Sequence, residues 1–537
     1  MRSRIGGCFV GLLIGCLLII HAAEPNDQSA RSMIGREVAI PKHLADDEEF
    51  RIPLVDLIAY GKKLFCAQWT EQEGGGRPLT KGNGKRLTDL NHPLVGARAF
   101  NRVSAPDANS CAGCHNSPYG IPGGGGDYAT NVFVQAQRFD FATFDRADSV
   151  RTGGSLNEGM EPVTLQTVGD SRSTTAMFGA GYLEMIAREI THDLQATRDS
   201  LKLGESKELV SKGIHFGRIA RSAGGLWDAS QVEGLPRASV ISKGAHDPPN
   251  LIVRIWHQAG NAVSLREFTN TSLNQHHGIQ TTERFGVDQD PDGDGFVNEM
   301  TRADVTALAV FQATLQVPGR VIPKDPAFRA AILQGEKAFG RIGCATCHIP
   351  SIPLSKEGSV YSEPNPYNVS GNLRIGEARP LSFDLNSDFL PQPRLKPAAD
   401  GVVYVPAFTD FKLHDICDLD DPGEPLDMNQ TTWSPNYRQG NRKFLTKRLW
   451  GAANEAPYFH HGLFTTLRQA VLAHSGEALA SRRGFEALPE SEQDGLIEFL
   501  KSLQVLPPGT RELVVDENFQ PTVWASVFAK VETRGPR

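Results

Sequence analysis

The chain has 537 residues, 40% of them apolar and 22% charged, so it is long enough for large buried cores and too apolar for a disordered chain. Its net charge is −7 and it holds no dense Lys/Arg block, which argues against nucleic acid as the main partner. With 53 glycines and 34 prolines, many loops around short helices are expected.

At the N-terminus, Arg2 and Arg4 precede an apolar run from Ile5 to Ile20, then His21-Ala22-Ala23 and a polar stretch from Glu24. Charge, apolar core and small residues in that order are the layout of an export signal over residues 1–23, so the chain is expected in the periplasm or otherwise exported. Two alternatives stay open on the same residues. Leu13-Ile14-Gly15-Cys16 resembles a lipoprotein box, although Leu17 to Ile20 continue the apolar run past the cysteine. The run is also just short of the ~20 residues of a membrane span, so a retained anchor here would be the chain's one attachment to a membrane.

Of the 8 cysteines, Cys8 and Cys16 lie in this segment. Cys66 and Cys417 are left over, either as a disulfide in an oxidising compartment or as two separate buried thiols. The other four form Cys111-Ala112-Gly113-Cys114-His115 and Cys344-Ala345-Thr346-Cys347-His348, two copies of C-x-x-C-H. Two thiols one helical turn apart can add to the two vinyl groups of one porphyrin, and the histidine directly after is then placed beneath the iron. A single such pentapeptide could be half a zinc site or a redox dithiol. Two copies with no further C-x-x-C point instead to two covalently attached haem c groups, with His115 and His348 as proximal iron ligands.

The flanks repeat as well. Gly61-Lys62-Lys63-Leu64-Phe65 precedes the first motif and Gly335-Glu336-Lys337-Ala338-Phe339 the second, as in the short N-terminal helix of many cytochromes c. In the first copy a loop containing Gly74-Gly75-Gly76 and Pro78 is inserted before the motif. Closing helices match too: Leu308, Phe311 and Leu315 recur as Leu496, Phe499 and Leu503, spaced for one helix face and followed by proline. Phe178-Gly179-Ala180 is echoed by Trp450-Gly451-Ala452. The expected fold is therefore mostly α, with two cytochrome c-like domains and long loop insertions. An N-terminal haem c domain with insertions would span 44–318, a C-terminal cytochrome c domain 325–508 and a tail 509–537. Gly123 to Gly126 lack the strand and lysine of a phosphate loop and are expected to pack near the first haem edge. Trp227, Trp256 and Trp450 are core residues or inter-haem bridges, and nothing in the sequence selects one.

C-x-x-C-H supplies one axial ligand, so the other decides what each iron can do. In the second half Ala456-Pro457-Tyr458-Phe459-His460-His461-Gly462 leads to Thr465, a candidate N-cap, and then to Leu467, Ala470, Val471 and His474 on one helix face. His474 would thereby be buried, and a distal iron ligand is its expected role. The pattern P-Y-F-H-x-G, then T-L, A-V and a ligand, resembles the bacterial di-haem cytochrome c peroxidase superfamily. Within it the di-haem oxidoreductase branch, often labelled thiol oxidoreductases, is most similar, over most of Ile52 to Pro508. In the peroxidases a methionine matches His474, and methionine ligation raises the potential. The resemblance thus implies a lower-potential second haem here. His461 replaces the family's usual aspartate.

In the first half the corresponding stretch is Ile255-Trp256-His257-Gln258-Ala259-Gly260, then Ser264 to Phe268, then Asn274-Gln275-His276-His277-Gly278. The resemblance implies a catalytic glutamate near His276, where this chain has His-His-Gly. His276 or His277 could serve as acid–base, could ligate the iron, or could be hydrogen-bonded loop residues. Asp290, Asp292 and Asp294 begin a D-x-D-x-D-G loop like that of calcium sites, but Thr301 stands where the bidentate glutamate is expected. Ca2+ or a solvated acidic turn before Arg302 are the two readings. The resemblance also implies a calcium between domains, at the positions of Glu455 and Pro457.

Together these features predict a di-haem oxidoreductase that takes electrons from a redox partner protein or small donor and reduces a small oxidant, peroxide by analogy. The alternative is an electron-transfer cytochrome with both irons six-coordinate.

Overall fold

The glycine-and-phenylalanine helix of each half packs on its closing helix. The structure, a computed structural model, describes residues 34–75, 104–105, 110–126, 131–134, 169–290, 294–418 and 442–528. Helices α1 (Leu54–Phe65), α2 (Ala180–Asp199), α3 (Leu265–Ser272), α4 (Arg302–Ala313), α5 (Pro326–Arg341), α6 (Leu467–Leu472) and α7 (Glu490–Ser502) frame both motifs. α1 lies on α4 so closely that a methyl group on Gly61 would overlap the Ala307 carbonyl. α5 lies on α7 in the same way, with Gly335 against the Gly495 carbonyl. Phe65 meets Phe311 with ring centroids 5.3 Å apart, and Phe339 meets Phe499 at 5.2 Å. Sharp helix starts come from local chemistry: Thr301 and Asp304 form a capping box on α4, and Asp325 caps α5 ahead of Pro326.

The mostly α expectation, with its two cytochrome c-like domains, does not hold. Helix accounts for only 33% of the molecule and strand for 14%, in small mixed sheets. Ser206–Ser211 and Ile214–Arg221 form an antiparallel hairpin through Lys212 and Gly213, both at positive φ (51° and 79°) as a type I′ turn requires. Further two-stranded pairs join Ile352–Leu354 to Val403–Val405, Val360–Glu363 to Leu381–Asp384, and Leu413–Asp415 to Lys443–Leu445. These are segments of three or four residues, too short to nucleate helices and suited to pairing. Gly319–Val321, just after α4, pairs antiparallel with Leu503–Gln504 and parallel with Val514–Val515, so the C-terminal stretch is sewn to the end of the first half.

The largest core holds α1, α2 and α4 together with Ile352, Tyr361, Phe383, Val403 and Phe411, which follow the second motif in sequence. A smaller core of Phe339, Phe408, Phe485, Leu496 and Phe499 surrounds the second motif. The candidate export segment lies outside the described residues. Among the described residues no helix is long and apolar enough to cross a membrane.

Candidate haem centres

At the second motif α5 runs into a 3-10 turn, Cys344–Thr346, and His348 follows. His348 Nδ1 donates to the Phe408 carbonyl at 3.1 Å, and His474 Nδ1 donates to the Ala470 carbonyl at 2.8 Å. Both rings therefore keep Nε2 as a lone-pair donor, the form a metal takes. Burial pushes His348 down to about 4 and lowers His474 as well, so both are neutral at pH 7. Their ring centroids are 6.4 Å apart. Two imidazole–metal bonds of ~2.0 Å, plus ~1.1 Å from each nitrogen to its ring centre, span ~6.2 Å, so the pair fits one iron between them.

α6 starts one residue later than expected. Thr466, not Thr465, is its N-cap, because Thr466 and Gln469 close a capping box. The helix ends at Leu472, and His474 sits just beyond it.

Two groups around this motif escaped the sequence reading. Phe528, in what reads as a tail, packs on Phe339, Phe408 and Phe499. His414 sits between Asp410 (Nε2, 2.8 Å) and Glu477 (Nδ1, 2.7 Å), beside Cys347. Burial opposes its charge, but hydrogen bonds to Asp410, Cys347 and Glu477 outweigh that and raise it to about 11. Asp410 is four residues from His414, but Glu477 is 63 residues away, so no local pattern announces the cluster.

At the first motif Cys111–Cys114 form a single helical turn, and His115 Nδ1 donates to the Gly124 carbonyl at 3.2 Å. The glycine run lies directly behind this histidine. A side chain on Gly124 would overlap the Ser117 backbone, and one on Gly126 would overlap Thr174. Burial pushes His115 down to about 4. Phe65 lies 6.1 Å from its ring, as Phe339 lies 6.3 Å from His348.

The distal sides differ. The bridge Trp256–Ala262 matches Tyr458–Phe464, Gly260 (φ 65°) matches Gly462 (φ 68°), and the N-cap Ser264 matches Thr466. One constant offset in residue number relates these pairs. It sets Ser272 at the position of His474, His257 at that of Phe459, and Phe268 at that of Ala470. Serine is too short to reach an iron from there. Instead His115 faces a cleft enclosing about 660 Å³, part of it open to solvent, lined among others by Trp256, His257, Phe268, Lys447 and Arg448.

His257, which the sequence reading did not single out, has a left-handed backbone (φ 64°), and burial pushes it down to about 4. Aligning the two motif loops was the signal that could have found it. Of the two candidate histidines, His276 is close enough to act electrostatically on both His115 and His257. His277 is buried with Nε2 3.4 Å from Cys111 Sγ. Both stand on a π-helical turn, Leu273–His277, that continues α3.

The two centres share a wall. Phe408 accepts from His348, and the next residue, Thr409, lines the first cleft. Ser173 donates through N and Oγ to the carbonyls of His460 and Phe459, and accepts from Gln258 Nε2, tying the two motif loops together.

Asp290 accepts from the N–H groups of Asp294 and Gly295, and Asp294 from that of Phe296. Asp292 lies outside the described residues. Cys66 and Cys417 are not bonded to each other: Cys417 is buried beside the Arg442 carbonyl, and Cys66 is half-buried within electrostatic reach of Cys111.

Residues 379–503 match the family model described as "Di-haem oxidoreductase, putative peroxidase". The segment contains His414, His474 and α7 but neither C-x-x-C-H motif, and it agrees with the resemblance carried by the motifs. It supports a di-haem oxidoreductase in general, with haem as cofactor. No curated protein matches the chain. Among solved structures, Kuenenia stuttgartiensis hydrazine synthase is 13% identical over 94% of this chain and 100% of that one, with a TM-score of 0.32, too low to establish a shared fold.

Proposed function

We propose that the chain is a di-haem c-type oxidoreductase in which a closed second centre feeds electrons to an open first centre, where a small oxidant such as peroxide is reduced. The observation that carries this is the asymmetry of the distal sides. His348 and His474 stand 6.4 Å apart at one centre, while Ser272 holds the matching position at the other. Two haems, attached through Cys111, Cys114, Cys344 and Cys347, would supply electron storage and an iron able to bind an oxidant.

The chain's own residues do the rest. His348 and His474 close the second centre to exogenous ligands. Ser272 leaves the first one open, and His257 and His276 offer imidazoles that can hold or pass a proton beside it. Phe408 and Thr409, adjacent in the chain, touch the second and the first centre respectively. On the same reading the mature chain is exported, as residues 1–23 imply, and its donor is a redox partner protein or a small reductant.

Low-temperature EPR of the oxidised and half-reduced protein tests this. One low-spin and one high-spin ferric signal are expected. Two low-spin signals in both states would make the protein an electron-transfer cytochrome with no substrate site.

A further inference from the structure

The first cleft has two kinds of wall. Met177, Leu183, Phe268 and Phe411 make an apolar lining, while Thr446, Lys447 and Arg448 contribute a run of donors from one strand end. Leu445 N donates to the Gln258 carbonyl at 2.9 Å, which ties this run to the loop that carries Trp256.

Three donors here are buried without a hydrogen-bond partner: Arg448 Nε, Thr446 Oγ1 and the indole Nε1 of Trp256, whose residue is only 5% exposed. Leaving such groups unmade is costly, so native proteins rarely do. The charges are unequal too. Lys447 Nζ is 2.9 Å from Glu455, and among the described residues Glu455 is also the carboxylate acting on Arg448. Two cations thus face one anion. Lys447 holds the carboxylate directly and Arg448 only at longer range, while burial lowers both cations.

An apolar slot with two cations and two neutral donors along one side matches a planar apolar body carrying carboxylates on one edge. We infer that Arg448 and Lys447, with Trp256 and Thr446, form a carboxylate-binding edge, and that the carboxylates they hold are the propionates of the haem at His115. This rests on the proposal that a haem is bound there. Arginine suits the task, since its planar fork pairs with a carboxylate through two hydrogen bonds.

The test uses the full, haem-loaded chain with Arg448→Ala and Arg448→Lys. Haem per chain is measured first by pyridine haemochrome. Redox titration of each haem and the propionate bending modes in resonance Raman follow. Two haems per chain are expected in every variant. Arg448→Ala should lower the potential of the first haem only and shift its propionate mode, and Arg448→Lys should restore part of both. If neither quantity moves, the assignment is wrong. It is also wrong if Arg448→Ala abolishes the spectral response to added nitrite while the propionate mode stays put, because the edge then serves a free anion. Fewer than two haems in the unaltered protein would sink the functional proposal instead. Should Arg448→Ala fail to fold, Thr446→Val and Trp256→Phe each remove one donor, and the same mode should shift.

Discussion

The two motif centres share a local frame and differ in the side chains that fill their distal sides. Each has a motif histidine anchored through Nδ1 to a backbone carbonyl, Gly124 in one and Phe408 in the other. Each has a phenylalanine from the preceding helix about 6 Å away (6.1 and 6.3 Å), a bridged loop and a capped helix. Where the second carries Phe459, Ala470 and His474, the first carries His257, Phe268 and Ser272. A closed pair of rings and an accessible cleft thus come from the same backbone. The frame is repeated, and on the proposed reading the distal residue sets whether a centre is closed or open.

Exchanging that residue should have the largest effect. His474→Ala removes the ring opposite His348, and the second centre should change from low to high spin while the first is untouched. Ser272→His should do the reverse at the first centre. Its high-spin EPR signal should vanish and peroxide turnover should fall by ~10²-fold or more, since the site is closed rather than weakened. Retention of full turnover in Ser272→His would refute the open-centre assignment.

Next come the helix contacts. Arg266, fully buried on α3, donates to Glu283 and Glu363 at 2.8 Å each and to Thr306 on α4. Arg266→Ala leaves buried carboxylates unpaired and should cost about 3–5 kcal/mol in urea unfolding. Gly61→Ala and Gly335→Ala each push a methyl group into a facing carbonyl. Each should cost about 1–3 kcal/mol, and similar losses would confirm that the two helix pairs are built alike.

The centres should also differ in the sign of their pH response. His414 is raised to about 11, so its contribution is fully present below the unfolded value of ~6.5 and is lost as pH climbs towards 11. His257 is lowered to about 4, so stability is full above ~6.5 and falls as pH drops towards 4. Urea midpoints of His414→Gln should approach those of the unaltered protein on the alkaline side, and those of His257→Phe should exceed them on the acid side. Parallel pH curves for both variants would contradict these environments.

Local signals in the sequence reached as far as local physics does. The apolar faces of α4 and α7 and the two C-x-x-C-H motifs follow from spacing within one turn or one helix, whereas His474, expected on a buried helix face, lies half-buried just past the end of α6. Phe528, His414 and the Arg266–Glu363 pair depend on contacts across dozens to hundreds of residues, which periodicity does not encode. The strands were missed because three-residue pairings such as Ile352–Leu354 with Val403–Val405 carry too few residues for a period to register. His257 does not stand out in the sequence, because a histidine beside a tryptophan looks like core until the two motif loops are laid over one another.

The smallest effect completes the comparison. Arg468 on α6 holds the same repeat position as Arg266, and Asp494 on α7 the same as Thr306. Arg468 donates to Asp494 at 2.5 Å and to Gln493 at 2.9 Å, so the helix-to-helix tie is kept in the second half. Here, though, the side chains are 35% and 61% exposed, whereas that of Arg266 is 0% exposed. Water screens the exposed pair and solvates whichever partner is left behind. Arg468→Ala should therefore cost under ~1 kcal/mol, with the lost packing of its guanidinium over Phe485 included. A cost equal to that of Arg266→Ala would mean that the tie itself, rather than its burial, sets the energy.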